Sequence, residues 1–384
     1  MPRLGLSICC GLPISLLVSS LPAQQAPAQP APQLVPRTAA ERQHTWDANH
    51  RVTLLVQVTD SSGKPVQGLS EHDFTVLDNQ QPRSLLSFTA VRGATVPAPP
   101  HVILVLDEIN DSSAGLAWAR KGIQELLRSE AQLPWLTSIA VLSQAGLQIG
   151  GASNKTDALS HQLSLLAPTL DPENCRYDNS DDLRSAATAL RGSVDFDRST
   201  MSPDCLNSHF VQSIGQLRNF AAGQVQVPGR DLMIWLGPGW PLLTGPGFRP
   251  DSDENKQNFF DNLVQLSNSL RESQVTLDAI SRRDAAPWLG LREAVLDKSV
   301  AQAADASATS LALQRLARQS GGQVIEEKAH LAGAIARCMA DANAWYALSF
   351  NSPPATEVQL HSISVQIDRP GVSARADTGY YDEP

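Results

Sequence analysis

The sequence has little cysteine, no clustered basic residues and no second long apolar run after its first segment. Its five cysteines among 384 residues are too few for a disulfide-built scaffold, and none form the Cys-x-x-Cys spacing of structural zinc sites. Lysine and arginine number 30 against 39 acidic residues, which gives a net charge of −9. Because no basic run exceeds Arg282-Arg283, a nucleic-acid-binding surface is not expected.

The sequence also lacks the spaced motifs of the commonest catalytic sites. Its eight histidines form no His-Glu-x-x-His pair, and no Gly-x-Ser-x-Gly elbow, Walker loop or Gly-x-Gly-x-x-Gly turn is present. The Gly- and Pro-rich stretch 237–247 does not favour phosphate binding, because its three prolines lack the N–H donors that a phosphate loop uses. We therefore expect a protein that is not an enzyme and needs no cofactor.

The first 23 residues have the pattern of a secretory signal. Arg3 provides a positive n-region, Leu4–Leu21 is apolar or small, and Ala23 is a small residue at a cleavage point. An uncleaved N-terminal anchor is the alternative, which Pro13 and the short run disfavour because a membrane span needs about 20 apolar residues. The expected mature chain is secreted or periplasmic, with no stable membrane insertion after cleavage.

Export would leave three cysteines in an oxidising compartment, where disulfides persist. Cys175 and Cys205 lie in a polar stretch, 168–207, that is rich in Asp, Ser, Asn and Pro. We predict a disulfide between these two residues. Cys338 lies beside an apolar stripe with helical spacing, which favours a buried free thiol.

The rest of the sequence has β patterns at its two ends and a different pattern between them. Residues 24–45 are rich in Pro, Ala and Gln, which predicts an extended linker. Alternating apolar residues predict strands in 46–96 and again in 343–381. Because neither segment is long enough to bury a core alone, we expect their strands to pair in one sheet or sandwich.

The middle region, 99–342, alternates short apolar strands with amphipathic helices. The strands are predicted at His101–Leu106, Ser138–Leu142, Asp231–Leu236 and Val275–Ile280, and segments with helical spacing separate them. This alternation is typical of a mostly parallel sheet that is covered on both faces. The sequence thus predicts an α/β fold, doubly wound, inserted into a small β domain that is built from both termini.

Ligands of open α/β sheets bind beyond the carboxyl ends of the strands. Asp107 follows the first strand of the middle region, and the loop after it carries oxygen and amide groups suited to a hard cation. Asp107, Asn110 and Asp111 are therefore candidate metal ligands. The alternative is that Asp107 or Asp111 only caps the helix that follows.

Eight short motifs occur along the chain in a specific order: Val58–Leu69, Asp73–Val76, Ser87-Phe88, Ile234–Gly239, Ser320–Gly322, Trp345–Leu348, Arg369–Arg375 and Gly379–Tyr381. Their order resembles the bacterial VWFA-related domain family, which has a von Willebrand factor A-like domain with flanking β segments. The resemblance covers about residues 50–381. It implies a protein-interaction module of the adhesion type.

The resemblance also implies a metal-ion-dependent adhesion site, in which Asp-x-Ser-x-Ser, a distant Thr and a second Asp hold Mg²⁺. Asp107 matches the first Asp, but the two Ser positions hold Ile109 and Asp111. The family pattern has Asp-Gly after the strand that corresponds to Asp231–Leu236, but this sequence has Gly237 there. The site is expected to be degenerate, with weak Mg²⁺ binding or none.

Partner binding would then depend on the loops at this edge of the sheet. Trp240, Phe248 and Trp288 are the candidate anchors, and core packing is the alternative role for each. The expected partner is an unidentified protein of the cell envelope or the extracellular space. Two other functions remain open: a divergent metal-dependent hydrolase, and an envelope structural protein without a discrete ligand.

Overall fold

The structure is a computed structural model that describes residues 51–92, 100–166, 203–225, 227, 229–241, 252–282 and 298–382. The predicted signal segment and linker, Cys175, Phe248 and Trp288 lie outside these ranges. In chain order the strands are β1 (Arg51–Asp60), β2 (Phe74–Asp78), β3 (Gln81–Arg83), β4 (Ser87–Arg92), β5 (His101–Asp107), β6 (Gln132–Ser143), β7 (Gly146–Ile149), β8 (Ser153–Lys155), β9 (Asp231–Leu236), β10 (Val275–Arg282), β11 (Val324–Glu327), β12 (Ala344–Asn351), β13 (Gln359–Ile367), β14 (Val372–Arg375) and β15 (Gly379–Asp382).

The α-helices of the described ranges are α1 (Ser113–Ser129), α2 (Thr156–Leu166), α3 (Pro203–Gln224), α4 (Asp253–Glu272), α5 (Leu313–Gln319) and α6 (Leu331–Asp341). Three short 3-10 helices lie at Glu71–Asp73, Ala303–Asp305 and Ala308–Leu311. Helix α1 begins where the Ser112 hydroxyl accepts a hydrogen bond from the Gly115 N–H, a common way of satisfying a helix start. Among these helices, none has both the length and the apolar character of a membrane span.

The largest sheet has seven strands, in the order β11-β10-β9-β5-β6-β7, with β8 also pairing with β6. Strands β11, β10, β9, β5 and β6 pair in parallel, whereas β7 and β8 are antiparallel to β6. Along β5, Ile103 and Val105 join an apolar cluster with α3, α4 and α5, while Val102 and Leu104 join one with α1, α2 and α6. Helices therefore cover both faces, which confirms the predicted α/β class and its mostly parallel sheet.

Two antiparallel sheets flank this α/β layer, with the strand orders β14-β1-β12-β4 and β15-β13-β2-β3. Both contain strands from the two ends of the described chain: Leu54 of β1 lies opposite Leu348 of β12, and Val76 of β2 lies opposite Val365 of β13. Leu54, Leu348 and Val76 belong to one apolar cluster. The two antiparallel sheets thus share a core that neither end of the chain supplies alone.

A buried arginine contacts both the α/β layer and β12. Arg230, directly before β9, is 2% exposed, and its Nη2 donates to Thr276 Oγ1 at 3.2 Å. Its guanidinium carbon lies 5.2 Å from the ring centroid of Trp345 in β12, a cation–π distance. Burial lowers the pKa of Arg230 to about 10, although the charges of Asp341 and Asp278 favour its protonated form. Arg230 is therefore a buried cation whose protonated form these two carboxylates stabilise.

A second arginine completes this polar junction. Arg375 of β14 forms an ion pair with Asp341 at the end of α6, and its Nη2 also donates to Gln57 Oε1 of β1 at 2.8 Å. Its Nε donates to the backbone carbonyl of Gly321 at 2.8 Å. Arg375 therefore links β14, α6 and β1 through the hydrogen bonds of its side chain.

The sheet β15-β13-β2-β3 has its own buried polar cluster. Asp78 of β2 accepts hydrogen bonds from Tyr380 at 3.2 Å and from Arg83 at 3.0 Å, and its Oδ1 lies 2.7 Å from His361 Nδ1. Burial acts to raise the pKa of Asp78, but the hydrogen bond to His361 and the charges of His361 and Arg83 outweigh it and hold that pKa below its ordinary value. One carboxylate thus connects all four strands of this sheet.

We expect Arg230→Met to lower the free energy of unfolding by about 3 kcal/mol, because it removes the buried cation that lies near the carboxylates of Asp278 and Asp341. Urea denaturation at pH 7 measures this change. Arg128→Met, on the exposed end of α1, is the matched control and should change stability by less than about 0.5 kcal/mol. Equal effects of the two substitutions would show that the junction adds nothing to stability.

Asp377 lies between β14 and β15, and burial raises its pKa from 3.8 to about 6 despite the opposing charge of Arg271. The folded chain therefore binds this proton more readily than the unfolded chain, so stability falls as the pH rises from 4 to 6. Asp377→Asn should flatten this part of the stability profile and raise the melting temperature at pH 8. Thermal unfolding between pH 4 and pH 8 tests this, and identical profiles for both proteins would contradict it.

Candidate functional site

Asp107 ends β5 at the carboxyl edge of the seven-stranded sheet, between the neighbouring strands β6 and β9. Its side chain is fully buried. After Asp107 a short loop leads into α1. The backbone N–H of Asn110 donates to Asp107 Oδ1 at 3.1 Å. The backbone N–H of Asp111 donates to the backbone carbonyl of Asp107 at 3.2 Å. The short loop therefore folds back over the carboxylate.

Both carboxylate oxygens of Asp107 accept hydrogen bonds from side chains. Asn110 Nδ2 donates to Oδ1 at 2.8 Å and to Oδ2 at 2.9 Å. The indole N–H of Trp235 in β9 also donates to Oδ2, at 2.9 Å. Burial raises the pKa of Asp107 to about 6, and the bonds from Asn110 and Trp235 oppose this shift. Neutral N–H donors thus stabilise the negative charge of this carboxylate.

Asp111 is the second carboxylate of the loop and is largely buried. Its Oδ1 accepts the backbone N–H of Ser112 at 2.7 Å. Burial raises the pKa of Asp111 to about 7; this N–H opposes the shift, and the nearby charge of Asp107 reinforces it. A Cβ atom at Gly115 would lie 1.8 Å from Asp111 Oδ1, so only glycine in the first turn of α1 leaves room for this carboxylate.

Asn110 also connects the loop to α3. Its Nδ2 donates to Ser213 Oγ at 2.9 Å, and Ser213 Oγ donates to the backbone carbonyl of His209 at 2.8 Å. No local pattern in the sequence selects Ser213, because it lies 103 residues from Asn110. The sequence analysis also did not identify Trp235 as a site residue, because it lies in an apolar strand. A buried indole N–H needs a hydrogen-bond acceptor, and this requirement is a signal that could have identified it.

The structure brings Asp107, Asn110 and Asp111 together, as the loop sequence predicts. Ile109, which occupies the first Ser position of the adhesion-site pattern, is buried in the apolar cluster that contains Trp235. It contributes no ligand atom. In the described ranges, no group of three His, Cys, Asp or Glu side chains is placed to hold one metal ion.

The prediction that Trp240 is an exposed binding anchor is wrong. Trp240 is 2% exposed, and its indole N–H donates to the Leu311 carbonyl at 2.7 Å. Its ring packs edge-on against Trp235 with the centroids 5.5 Å apart. The residue belongs to the core because its apolar surface is covered and its N–H is satisfied. Phe248 and Trp288 lie outside the described residues and stay predictions.

The cysteines have two different environments. Cys338 is a buried free thiol, which confirms its prediction, and burial raises the pKa of this thiol well above the ordinary value. Cys205 lies in the first turn of α3, where its Sγ is 3.6 Å from His209 Nε2. Because its proposed partner Cys175 lies outside the described residues, the disulfide stays a prediction.

No protein-family model matches the sequence, and no curated protein matches it. The chain is similar to the solved structure of the human COPII-coat protein Sec24c, with 8% identity and a TM-score of 0.33 over 77% of this chain and 46% of that one. It is also similar to the manganese-loaded TRAP protein of Plasmodium vivax, with 11% identity and a TM-score of 0.31 over 76% of this chain and 96% of that one. A third similar structure is the ArnB paralog VWA2 of Sulfolobus acidocaldarius, with 9% identity and a TM-score of 0.26 over 86% of this chain and 76% of that one. The chain thus spans less than half of the Sec24c chain that it matches.

We expect Trp235→Phe to lower the free energy of unfolding by about 2–3 kcal/mol, because a buried carboxylate loses one N–H donor. Trp240→Phe is the matched control. It removes an equally buried indole N–H whose acceptor is a neutral carbonyl. The free energy of unfolding should therefore fall by about 1 kcal/mol. Urea denaturation at pH 8 compares the two variants. A cost for Trp235→Phe no larger than that of Trp240→Phe would show that the charge of Asp107 does not depend on the indole.

Proposed function

We propose that this chain is an exported, non-catalytic protein-interaction module of the von Willebrand factor A type with a degenerate metal-ion-dependent adhesion site. In this proposal the α/β domain, 99–342, is inserted into a β domain formed by 46–96 and 343–381. The pairing of β1 with β12 and of β2 with β13 supports the insertion, because both ends of the chain contribute strands to the same sheets.

The observation that carries the proposal is the hydrogen bonding of Asp107. Mg²⁺ prefers oxygen ligands in near-octahedral geometry and gives up its waters reluctantly. Asp107 accepts hydrogen bonds from the side-chain amide of Asn110 and the indole of Trp235, and these would have to break before both oxygens could bind a cation. Ile109 offers no oxygen in place of the first Ser. The residues present therefore do not fit a complete Mg²⁺ site.

The burial of Asp107 also supports a non-catalytic role at this edge. A metal-dependent hydrolase needs an open coordination position for water or substrate, and a catalytic acid or base must reach the reacting atoms. Asp107 is 0% exposed, and its oxygens are directed at internal donors. These contacts favour a structural role for the carboxylate, which holds the loop between β5 and α1 in one conformation.

Partner recognition is assigned in this proposal to the segments that follow β9 and β10 in the sequence, 242–251 and 283–297. Phe248 and Trp288 remain the candidate anchors within them, because large aromatic side chains contribute strongly to protein interfaces. Trp240 is excluded by its burial. The partner is taken to be a protein of the cell envelope or the extracellular space.

Calorimetric titration with millimolar Mg²⁺ and Mn²⁺ tests the degenerate site. We expect no saturable heat below the millimolar range for the wild-type protein, because the Asp107 oxygens are already bonded to N–H groups. Asp107→Ala should give the same titration curve as the wild type. Micromolar affinity that disappears in Asp107→Ala would overturn the proposal of a degenerate site.

Crosslinking in the producing cell tests the interaction itself. A tagged full-length chain should be found in the envelope or external fraction and should crosslink to one specific protein in the presence of a metal chelator. Phe248→Ala and Trp288→Ala should each reduce the yield several-fold, since hot-spot anchors contribute at least about 2 kcal/mol. Leu165→Ala is the control, because Leu165 is 63% exposed on α2, away from these segments in the sequence. Retention in the cytosol, or a yield that the chelator abolishes, would contradict the proposal.

A further inference from the structure

One carboxyl group lies inside the seven-stranded sheet, and the proposed interaction makes no use of it. Asp278 lies in the middle of β10 and is 1% exposed. Its Oδ1 accepts the backbone N–H of Gln323 at 2.7 Å. Its Oδ2 is also buried and has no hydrogen-bond partner among the residues that the structure describes. The ionised form is therefore costly here, because burial penalises a charge that is not fully paired.

The two arginines of the polar junction bind other groups. Arg230 donates to the hydroxyl of Thr276 at 3.2 Å, and Arg375 forms its ion pair with Asp341. Within the described ranges neither arginine donates a hydrogen bond to Asp278. Their positive charges act on Asp278 only through space.

These surroundings favour a proton on Asp278. Burial raises the pKa of Asp278 above its ordinary value; the N–H of Gln323 and the charge of Arg375 oppose this shift, and the charge of Asp341 adds to it. The thiol of Cys338 in α6 also interacts with Asp278. Burial and the charge of Asp278 raise the pKa of this thiol well above its ordinary value. Asp278 therefore loses its proton before Cys338 as the pH rises.

Gln323 connects Asp278 to a second buried carboxylate. Its backbone N–H binds Asp278, and its side-chain Nε2 donates to Asp341 Oδ2 at 2.5 Å. The same oxygen of Asp341 is the ion-pair partner of Arg375 in β14. Arg375 in turn donates to Gln57 Oε1 of β1 at 2.8 Å. A continuous series of polar contacts thus runs from the interior of β10 to two antiparallel strands.

We propose that Asp278 is a proton-operated coupling between the α/β layer and the antiparallel strands β1 and β14. With its proton bound, Asp278 is neutral, and the arginines of the junction pair with Asp341. When the proton leaves, a second negative charge lies near Asp341 without a cation of its own. It competes with Asp341 for Arg230 and Arg375, which weakens the contacts of Arg375 with β1. Protonation of Asp278 therefore tightens the attachment of these strands, and ionisation loosens it.

The direction of the pH effect follows from the raised pKa of Asp278. The folded chain holds this proton more tightly than the unfolded chain, so the stabilisation is complete below the ordinary carboxyl value of about 4 and is lost as the pH rises above it. Asp377 acts in the same direction, because burial raises its pKa to about 6, and its charge also reaches Arg230. The test is therefore made in Asp377→Asn, in which this second carboxyl group is replaced by a neutral amide.

Amide hydrogen exchange of the full-length Asp377→Asn chain between pH 5 and pH 9 tests the proposal. Protection factors are compared with those of the same chain that also carries Asp278→Asn. In β1 and β14, the ratio of the Asp278→Asn protection factor to that of the parent should rise by at least about tenfold from pH 5 to pH 9. In α2, which packs against β6 and β8, the ratio should change by less than about twofold. Asp368→Asn is the matched control, because Asp368 is exposed between β13 and β14, and it should give a constant ratio.

Arg375→Met tests the route of the coupling. It removes the side chain that joins Asp341 to β1. Asp278→Asn should then change the β1 protection factor at pH 9 by less than about threefold. An undiminished effect of Asp278→Asn in this background, or equal effects in α2 and in β1, would overturn the proposal.

A carbon-13 titration of the Asp278 carboxyl group in the wild-type chain needs no substitution, and it decides the matter if a variant does not fold. A midpoint above the ordinary carboxyl value supports the proposal. A midpoint at the ordinary value of about 4 would show that Asp278 is ionised throughout the neutral range, and would overturn it.

Discussion

The carboxylate of Asp107 is buried at the end of a central parallel strand, and the edge of the sheet is organised around satisfying it. An ionised carboxylate without partners in such a place would cost many kcal/mol. Asn110 and Trp235 supply the required N–H donors. Because Asn110 also bonds to Ser213, one charge fixes the loop after β5, the start of α1 and the position of α3.

Much of the fold follows from patterns that the sequence shows directly. Period-two alternation marks β1 and β13, and continuous apolar runs mark β5, β9 and β10, because sheets bury one face or both. Asp107, Asn110 and Asp111 are near in the chain, so their meeting required only a turn. Trp235 lies 128 residues from Asp107, and its pairing with the carboxylate depends on β9 lying next to β5, which no local pattern reveals. Trp240 was misplaced because an aromatic residue after a Gly-Pro-Gly turn has the same local sequence whether it faces solvent or the core.

Sequence patterns also do not reveal the charged junction between the α/β layer and the antiparallel strands. Hydrophobic periodicity locates apolar faces, whereas Arg230, Asp341 and Arg375 lie at the ends of elements, where charged residues are usually solvated. Their burial follows from the two ends of the chain folding back against the seven-stranded sheet. The same arrangement ties the antiparallel strands to the layer that carries Asp107, so the stability of the two parts is coupled through side chains of opposite charge.

In the proposed function, the N–H donors of Asn110 and Trp235, and not a metal ion, stabilise the carboxylate of Asp107. The most direct measurement is a nuclear magnetic resonance titration with Mg²⁺ that follows the side-chain amide of Asn110 and the indole N–H of Trp235. The account predicts that both signals keep their positions through the millimolar range, since neither group releases the carboxylate. A selective shift of these two signals that saturates at micromolar Mg²⁺ would show that the ion displaces them, and would contradict the account.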